Sequence, residues 1–190
     1  PRLNGFELLM ASYAMAHLKM DMLLTETGYK PTDEQRFRIF LTNSLEEGER
    51  VEQTLPFARW LSEEAKGANT IKRDTPIMCV IGNPPYNSSS QNMGAWIRNL
   101  IAPYKQGLNE KKINLDEDYI KFLRFSESLI EKNGSGVVGF ITNNSYLRGV
   151  THRQMRRHLM GTFNKIYILN LHGDSNQMEK NPNGGADKNV

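Results

Sequence analysis

Short apolar runs separated by helical stretches set the first limit on what this chain can fold into. LNGFE at 3–7, FRIFLT at 37–42, PIMCVIG at 76–82, GVVGFIT at 136–142 and FNKIYILNL at 163–171 have the length and residue types of strands. Leu8–Leu24, rich in Ala, Leu and Met, reads as a helix stopped by Gly28 and Pro31. Ser44–Lys66 is acidic and helical, with Pro56 as an interruption. Asp116–Lys132 is amphipathic, with Asp116 as its expected cap and Asn133-Gly134 as a left-handed end. Thr151–Thr162 reads as a basic helix. Strands alternating with helices imply an α/β class with a mostly parallel sheet and flanking helices. The runs at 76–82 and 136–142 have no polar alternation, which predicts strands buried on both faces. Sheets of this kind bind ligands just beyond the carboxyl ends of their strands. The residues after each apolar run are therefore the ones to inspect.

Composition narrows the classes further. The single cysteine, Cys79, excludes an intramolecular disulfide and a cysteine-based zinc site. His17, His152, His158 and His172 lack tight ligand spacing, so no metal site is expected. No run approaches the length of a membrane span and no export leader is visible, so a reducing, cytoplasmic setting with no membrane partner is expected. The net charge of +3 is unevenly spread. Residues 1–95 carry 10 Lys/Arg against 12 Asp/Glu, and residues 96–190 carry 14 against 9. Between Ser145 and Asn170 lie Arg148, Arg153, Arg156, Arg157 and Lys165 with no acidic residue. Such a block either meets a polyanion such as DNA or is a solvated helix face.

The segment after PIMCVIG carries the chemistry. In Asn83-Pro84-Pro85-Tyr86, two prolines fix two φ angles near −65° and supply no N–H. Asn83, before a proline, is pushed to an extended conformation. The stiff corner offers one amide, backbone carbonyls and one aromatic ring. The Asn83 side-chain oxygen and the Pro84 carbonyl can each accept one hydrogen of a planar substrate's NH2 group. Tyr86 can stack on its ring, worth about 1–3 kcal/mol per base. A diproline turn with a packed tyrosine is the plain structural alternative. A long polar insertion, 87–115, follows, and the tail 172–190 is Gly, Asn and Asp rich, which predicts a flexible end.

An Asn-Pro-Pro-Tyr motif after an apolar strand resembles the catalytic motif of S-adenosylmethionine-dependent amino-group methyltransferases, above all the DNA adenine-N6 enzymes. LNGFE with LLMASYAMAHLKM resembles the second cofactor strand and its helix, which makes Glu7 the implied ligand of the ribose hydroxyls. FRIFLTNSLEE resembles the third strand. There the family usually has an Asp at the cofactor's adenine and this chain has Asn43. DEDYIKFLRFSESLIEKNGSGVVGFITNNSYLRG and RRHLMGTFNKIYILNLHG resemble later helix–strand pairs. The wording of GFELLMASYAMAHLKM and NLHGDSNQ is most similar to the methyltransferase part of type ISP restriction-modification enzymes.

The resemblance implies a partial Rossmann-like class I methyltransferase domain over 1–171, with 172–190 leading to a missing C-terminal part. The family's Asp-Pro-Ala-x-Gly-x-Gly loop and first strand have no match here. The isolated piece is therefore expected to be inactive, with target-recognition, nuclease and helicase domains elsewhere on a parent chain. Duplex DNA is the implied partner, with Arg148, Arg153, Arg156 and Arg157 as candidate backbone contacts and the adenine flipped out to reach the corner. Two rivals stand beside this reading. The same tetrapeptide serves protein glutamine-N5 methyltransferases, and the piece can be a catalytically inactive DNA-binding fragment. Among lesser features, His17 is read as packed, Met10, Met15, Met20 and Met22 as core filler, Cys79 as buried and inert, and Trp96 as a loop anchor.

Overall fold

The computed structural model describes residues 3–29, 36–47, 56–87, 89–111, 113–172 and 178–185, with the backbone alone for 56–59. The chain forms two compact units, Pro1–Pro76 and Ile77–Val190.

In the first unit, β1 (Gly5–Glu7) is followed by α1 (Met10–Glu26) and then by β2 (Ile39–Leu41), which pairs parallel to β1 with Phe6 opposite Phe40. This β–α–β pattern is the one the sequence implies. α2 (Pro56–Arg73) packs on β2. Pro56 is its first residue, not an interruption, since the first turn of a helix has no use for the missing N–H. Gly67 lets α2 approach closely, because a Cβ there would lie 2.1 Å from the Phe40 ring. Buried Glu64 ties the layers together: it pairs with Arg36 and accepts the Leu41 N–H at 3.0 Å. α1 has no buried residue, and Met10, Met15 and Met22 are exposed. The expectation that they fill a core fails because α1 packs on β1 and β2, and reaches α2 through Tyr13 beside Trp60 and Glu64, with other faces than the one that carries these three. His17 is packed as expected, its ring edge-on to Tyr13 at 4.7 Å.

In the second unit, β3 (Cys79–Gly82) and β4 (Val137–Phe140) pair in parallel, with Val80 opposite Val138. α3 (Ala95–Lys105) and α4 (Asp118–Asn133) connect them. A one-turn helix α5 (Ser145–Arg148), a 3-10 turn (Val150–His152) and α6 (Arg153–Thr162) follow. Ile101, Tyr104, Leu115, Tyr119, Ile120, Leu123, Met155 and Leu159 form the core, with Val138 and Phe140 packed against it.

Four expectations are corrected here. The strands are not buried on both faces: helices of the unit cover the side of Val138 and Phe140, while Cys79, Ile81 and Val137 face outwards and are exposed. A continuous apolar run records what a strand can bury, not what its own unit supplies to bury it. Segment 163–171 is irregular and mostly exposed and joins no strand among the described residues, because a strand needs a ladder partner that local sequence does not provide. The 87–115 insertion is not all loop: α3 buries Ile97, Ile101 and Tyr104 on one face. Trp96 at its start packs edge-on to Phe125 at 5.8 Å, the anchoring role expected of it. Finally, Asp116 does not cap α4. The N-cap is Glu117, without a side-chain bond, and Asp116 pairs with Lys105 of α3 at 2.6 Å.

Gly134 ends α4 with φ of 80° and donates to the Ile130 and Glu131 carbonyls, the left-handed stop read from Asn133-Gly134. Of the tail, residues 178–185 form a turn in which the Asn181 side chain accepts the Asn183 and Gly185 N–H groups. The remainder of 173–190 lies outside the described residues. No helix among the described residues is long and apolar enough to cross a membrane.

Candidate functional site

β3 delivers Asn83 to Tyr86 at its carboxyl end. Pro84 turns inward and is buried, while Asn83, Pro85 and Tyr86 are exposed. Tyr86 as a whole is 41% exposed. Its hydroxyl donates to the Asn83 side-chain oxygen at 3.1 Å, which closes the corner on itself. The amide oxygen has two lone pairs, so one acceptor position remains for an incoming N–H.

Tyr119 on α4 stands beside this corner. It is fully buried, and its ring meets the Tyr86 ring edge-on at 6.5 Å. Its hydroxyl shares a 3.0 Å hydrogen bond with Ser145, and burial pushes that hydroxyl's pKa well up, so it stays protonated. Ser145 in turn lines a cavity of about 320 Å³ beyond β4, bounded also by Asn144, Leu147, Arg148, Gly149, Val150, Asn170 and Glu179. The diproline corner and this cavity are thus linked by one buried tyrosine.

The segment after Tyr86 is held by the start of α4. Asp118, buried, accepts hydrogen bonds from Ser90 and, at 2.9 Å, from the Asn92 amide. Lys121, fully buried, donates to the Ser90 hydroxyl at 2.8 Å and the Asn92 carbonyl at 2.7 Å. Burial lowers the Lys121 pKa, and Asp116 and Asp118 oppose that shift. Sequence reading missed Asp118, Tyr119 and Lys121. The one signal was a lysine between Ile120 and Phe122 on an otherwise apolar stretch, which demands a buried partner.

The candidate DNA contacts fall into two kinds. Arg156 donates to the Tyr146 carbonyl at 2.6 Å and the Gly149 carbonyl at 2.8 Å, which fixes the turn between α5 and α6. Arg153 pairs with Glu110. Arg148 is exposed and lies 3.9 Å from Glu179, and Arg157 is exposed. Glu127, Glu131 and His158 bring metal-type ligand atoms within 4.8 Å of one another. Arg124 donates to both carboxylates, at 3.0 and 2.9 Å, and so already supplies the cluster's cation.

In the first unit, Glu7 stands at the end of β1, where its Oε1 accepts the Leu8 and Leu9 N–H groups at 2.9 and 3.0 Å. Asn43, past β2, forms a local turn: Oδ1 accepts the Leu45 N–H and Nδ2 donates to Glu46. The Asn43 carbonyl accepts Lys72 at 2.6 Å. Burial brings the Lys72 pKa down to about 8, partly opposed by Glu46.

Solved structures share this fold. The chain superposes with a TM-score of 0.72 and 23% identity on a nuclease-deletion mutant of the type ISP restriction-modification enzyme LlaGI in complex with a DNA substrate mimic, covering 92% of this chain and 15% of that one. For the ATP-dependent type ISP restriction-modification enzyme LlaBIII bound to DNA, the TM-score is 0.63 and identity 25%, over 83% of this chain and 11% of that one. For DrdV in a DNA complex, the values are 0.71 and 25%, over 92% and 17%. This chain therefore spans less than a fifth of each. A search of curated protein sequences returns no match. The family model of the Eco57I restriction-modification methylase covers residues 10–177, and the chain belongs to that family.

Proposed function

We propose that the chain is the catalytic part of a DNA adenine-N6 methyltransferase of a restriction-modification system, acting in the cytoplasm on duplex DNA with S-adenosylmethionine as donor. The observation that carries the reading is the Asn83–Pro84–Pro85–Tyr86 corner at the carboxyl end of β3, with Asn83, Pro85 and Tyr86 exposed. Membership of a methylase family supports methyl transfer, and the DNA complexes among the similar structures support a DNA substrate. The parallel pairings β1–β2 and β3–β4 support a partial Rossmann-like class I arrangement.

The exocyclic nitrogen of adenine is a weak nucleophile because its lone pair is conjugated with the ring. Asn83 Oδ1 and the Pro84 carbonyl accept its two hydrogens, favour a more tetrahedral nitrogen and stabilise the positive charge that develops on it. Both acceptors are preorganised, one by the Tyr86 hydroxyl and the other by proline geometry. Tyr86 stacks on the extruded ring and offsets part of the flipping cost of a few kcal/mol. S-adenosylmethionine, when bound, supplies an electrophilic sulfonium methyl. The residues of this chain fit that group: Glu7 has one carboxylate oxygen fixed by backbone and a second, Oε2, to accept ribose hydroxyls. Asn43, just past β2, carries a side-chain amide, a group able to pair with an adenine edge.

Arg148 and Arg157 grip phosphates directly, while Arg153 and Arg156 shape the segment that presents them. Nuclease, helicase and target-recognition domains are assigned to the parent chain. The test offers the intact protein methyl-tritiated S-adenosylmethionine with adenine-unmethylated duplex DNA or with a glutamine-bearing peptide. Label on DNA alone supports the reading. Label on the peptide alone transfers the chemistry to protein glutamine.

A further inference from the structure

The loop that follows Tyr86 is polar, yet it is pinned by groups that are costly to bury. Asp118 is 5% exposed and Lys121 0% exposed, one helical turn apart at the start of α4. They are joined through the Ser90 hydroxyl, which accepts from Lys121 at 2.8 Å and from the Asn92 N–H at 3.1 Å and donates to Asp118. The other Lys121 hydrogens go to the Asn92 carbonyl at 2.7 Å and the Met93 sulfur at 3.5 Å. All three ammonium donors are thus spent on one five-residue stretch, 89–93. Tyr119, next to Asp118 on α4, abuts the Tyr86 ring. A hydrophobic pair would hold a loop as firmly, so charges buried here fix direction more than they add stability.

We propose that Asp118, Tyr119 and Lys121 are positioning residues: they anchor segment 89–93 and brace Tyr86, so that the corner meets the target base as a rigid platform. This rests on the methyl-transfer reading above. None of the three touches the reacting atoms.

The test uses the intact protein with Lys121→Met, Ser90→Ala and Ser90→Thr. Hydrogen exchange is read first. Lys121→Met should speed amide exchange across 89–93 by about tenfold and leave the second half of α4 unchanged. Steady-state methylation of adenine-unmethylated genomic DNA is read second. Lys121→Met and Ser90→Ala should raise KM for DNA by about tenfold while KM for S-adenosylmethionine stays within about twofold. Ser90→Thr, which keeps the hydroxyl, should recover the wild-type KM. Ser90→Ala introduces no buried charge change, so the proposal remains testable if Lys121→Met fails to fold. Unchanged exchange across 89–93 overturns the anchoring. An unchanged KM for DNA, or equal losses for DNA and donor, overturns the positioning role. Failure of the underlying reading looks different: the wild type itself then labels no DNA, while loop exchange still separates the variants.

Discussion

Glu127→Gln should be among the most destabilising isosteric changes available in the second unit. Glu127 is fully buried. Its Oε2 accepts the Tyr104 hydroxyl at 2.7 Å and Arg124 at 3.0 Å, and its Oε1 faces His158 Nδ1 at 2.9 Å. These partners sit on α3, α4 and α6, so one carboxylate joins three helices. The amide keeps the volume but removes the charge, and even with its oxygen kept on Tyr104 and Arg124 its NH2 obliges His158 Nδ1 to accept as a neutral imidazole. Hydrogen bonds to a charged group contribute about 1.5–3 kcal/mol each, and breaking a buried pair costs about 3–5 kcal/mol. Arg124 retains Glu131 at 2.9 Å and the Leu100 carbonyl at 3.1 Å, which places the expected loss at the lower end, roughly 3 kcal/mol. The assay is urea unfolding in a Trp60→Phe background, where Trp96 alone reports the second unit. The midpoint should fall by roughly 1–2 M at unchanged slope. Tyr104→Phe, which deletes one donor to the carboxylate, should cost about 1.5 kcal/mol. A loss below about 1 kcal/mol for Glu127→Gln would refute the claim that this network is a desolvated unit.

Two further outcomes follow from the site. Lys72 loses its proton near pH 8 in the folded state and near 10.4 when unfolded, so the unfolded chain binds more protons in that window and stability rises with pH across it. The gain should reach about 2.5 kcal/mol by pH 10 and vanish in Lys72→Met, as measured by denaturation at stepped pH; a flat profile in the wild type contradicts it. Arg157→Ala should weaken DNA binding in the intact protein and lower its salt slope by about one, with the melting temperature unchanged, whereas Arg156→Ala should lower the melting temperature because two carbonyls lose their donor. Identical behaviour of the two variants would contradict this division.

The diproline corner was legible because its information is local. Two prolines constrain their own backbone, and the preceding apolar run places them at a strand end. The parallel direction of the strands was legible for the same reason, since strands joined through helices run parallel, while the choice of neighbours was not. What could not be read is long-range. Whether Cys79 is covered depends on which elements pack over β3, and nothing in CVIG states it. Segment 163–171 has the composition of a strand but not the neighbour that makes one. α3 was hidden by its polar flanks and by Pro103 in its last turn, although Ile97, Ile101 and Tyr104 repeat at helical spacing. Asp118 and Lys121 escaped because their partners lie 26–31 residues away in a loop. The acid-free basic block looked uniform in one dimension. In three, Arg153 meets Glu110 from the 87–115 insertion, 43 residues away.

The central claim is that the Asn83 side chain and the Pro84 carbonyl hold an adenine amino group for methylation. Its most direct test is mass analysis of nucleosides from DNA incubated with the intact protein and methyl-deuterated S-adenosylmethionine. The account predicts deuterated N6-methyladenine from the wild type and none from Asn83→Ala, with donor binding retained by the variant. Labelled methylcytosine, or undiminished N6-methyladenine from Asn83→Ala, would contradict it.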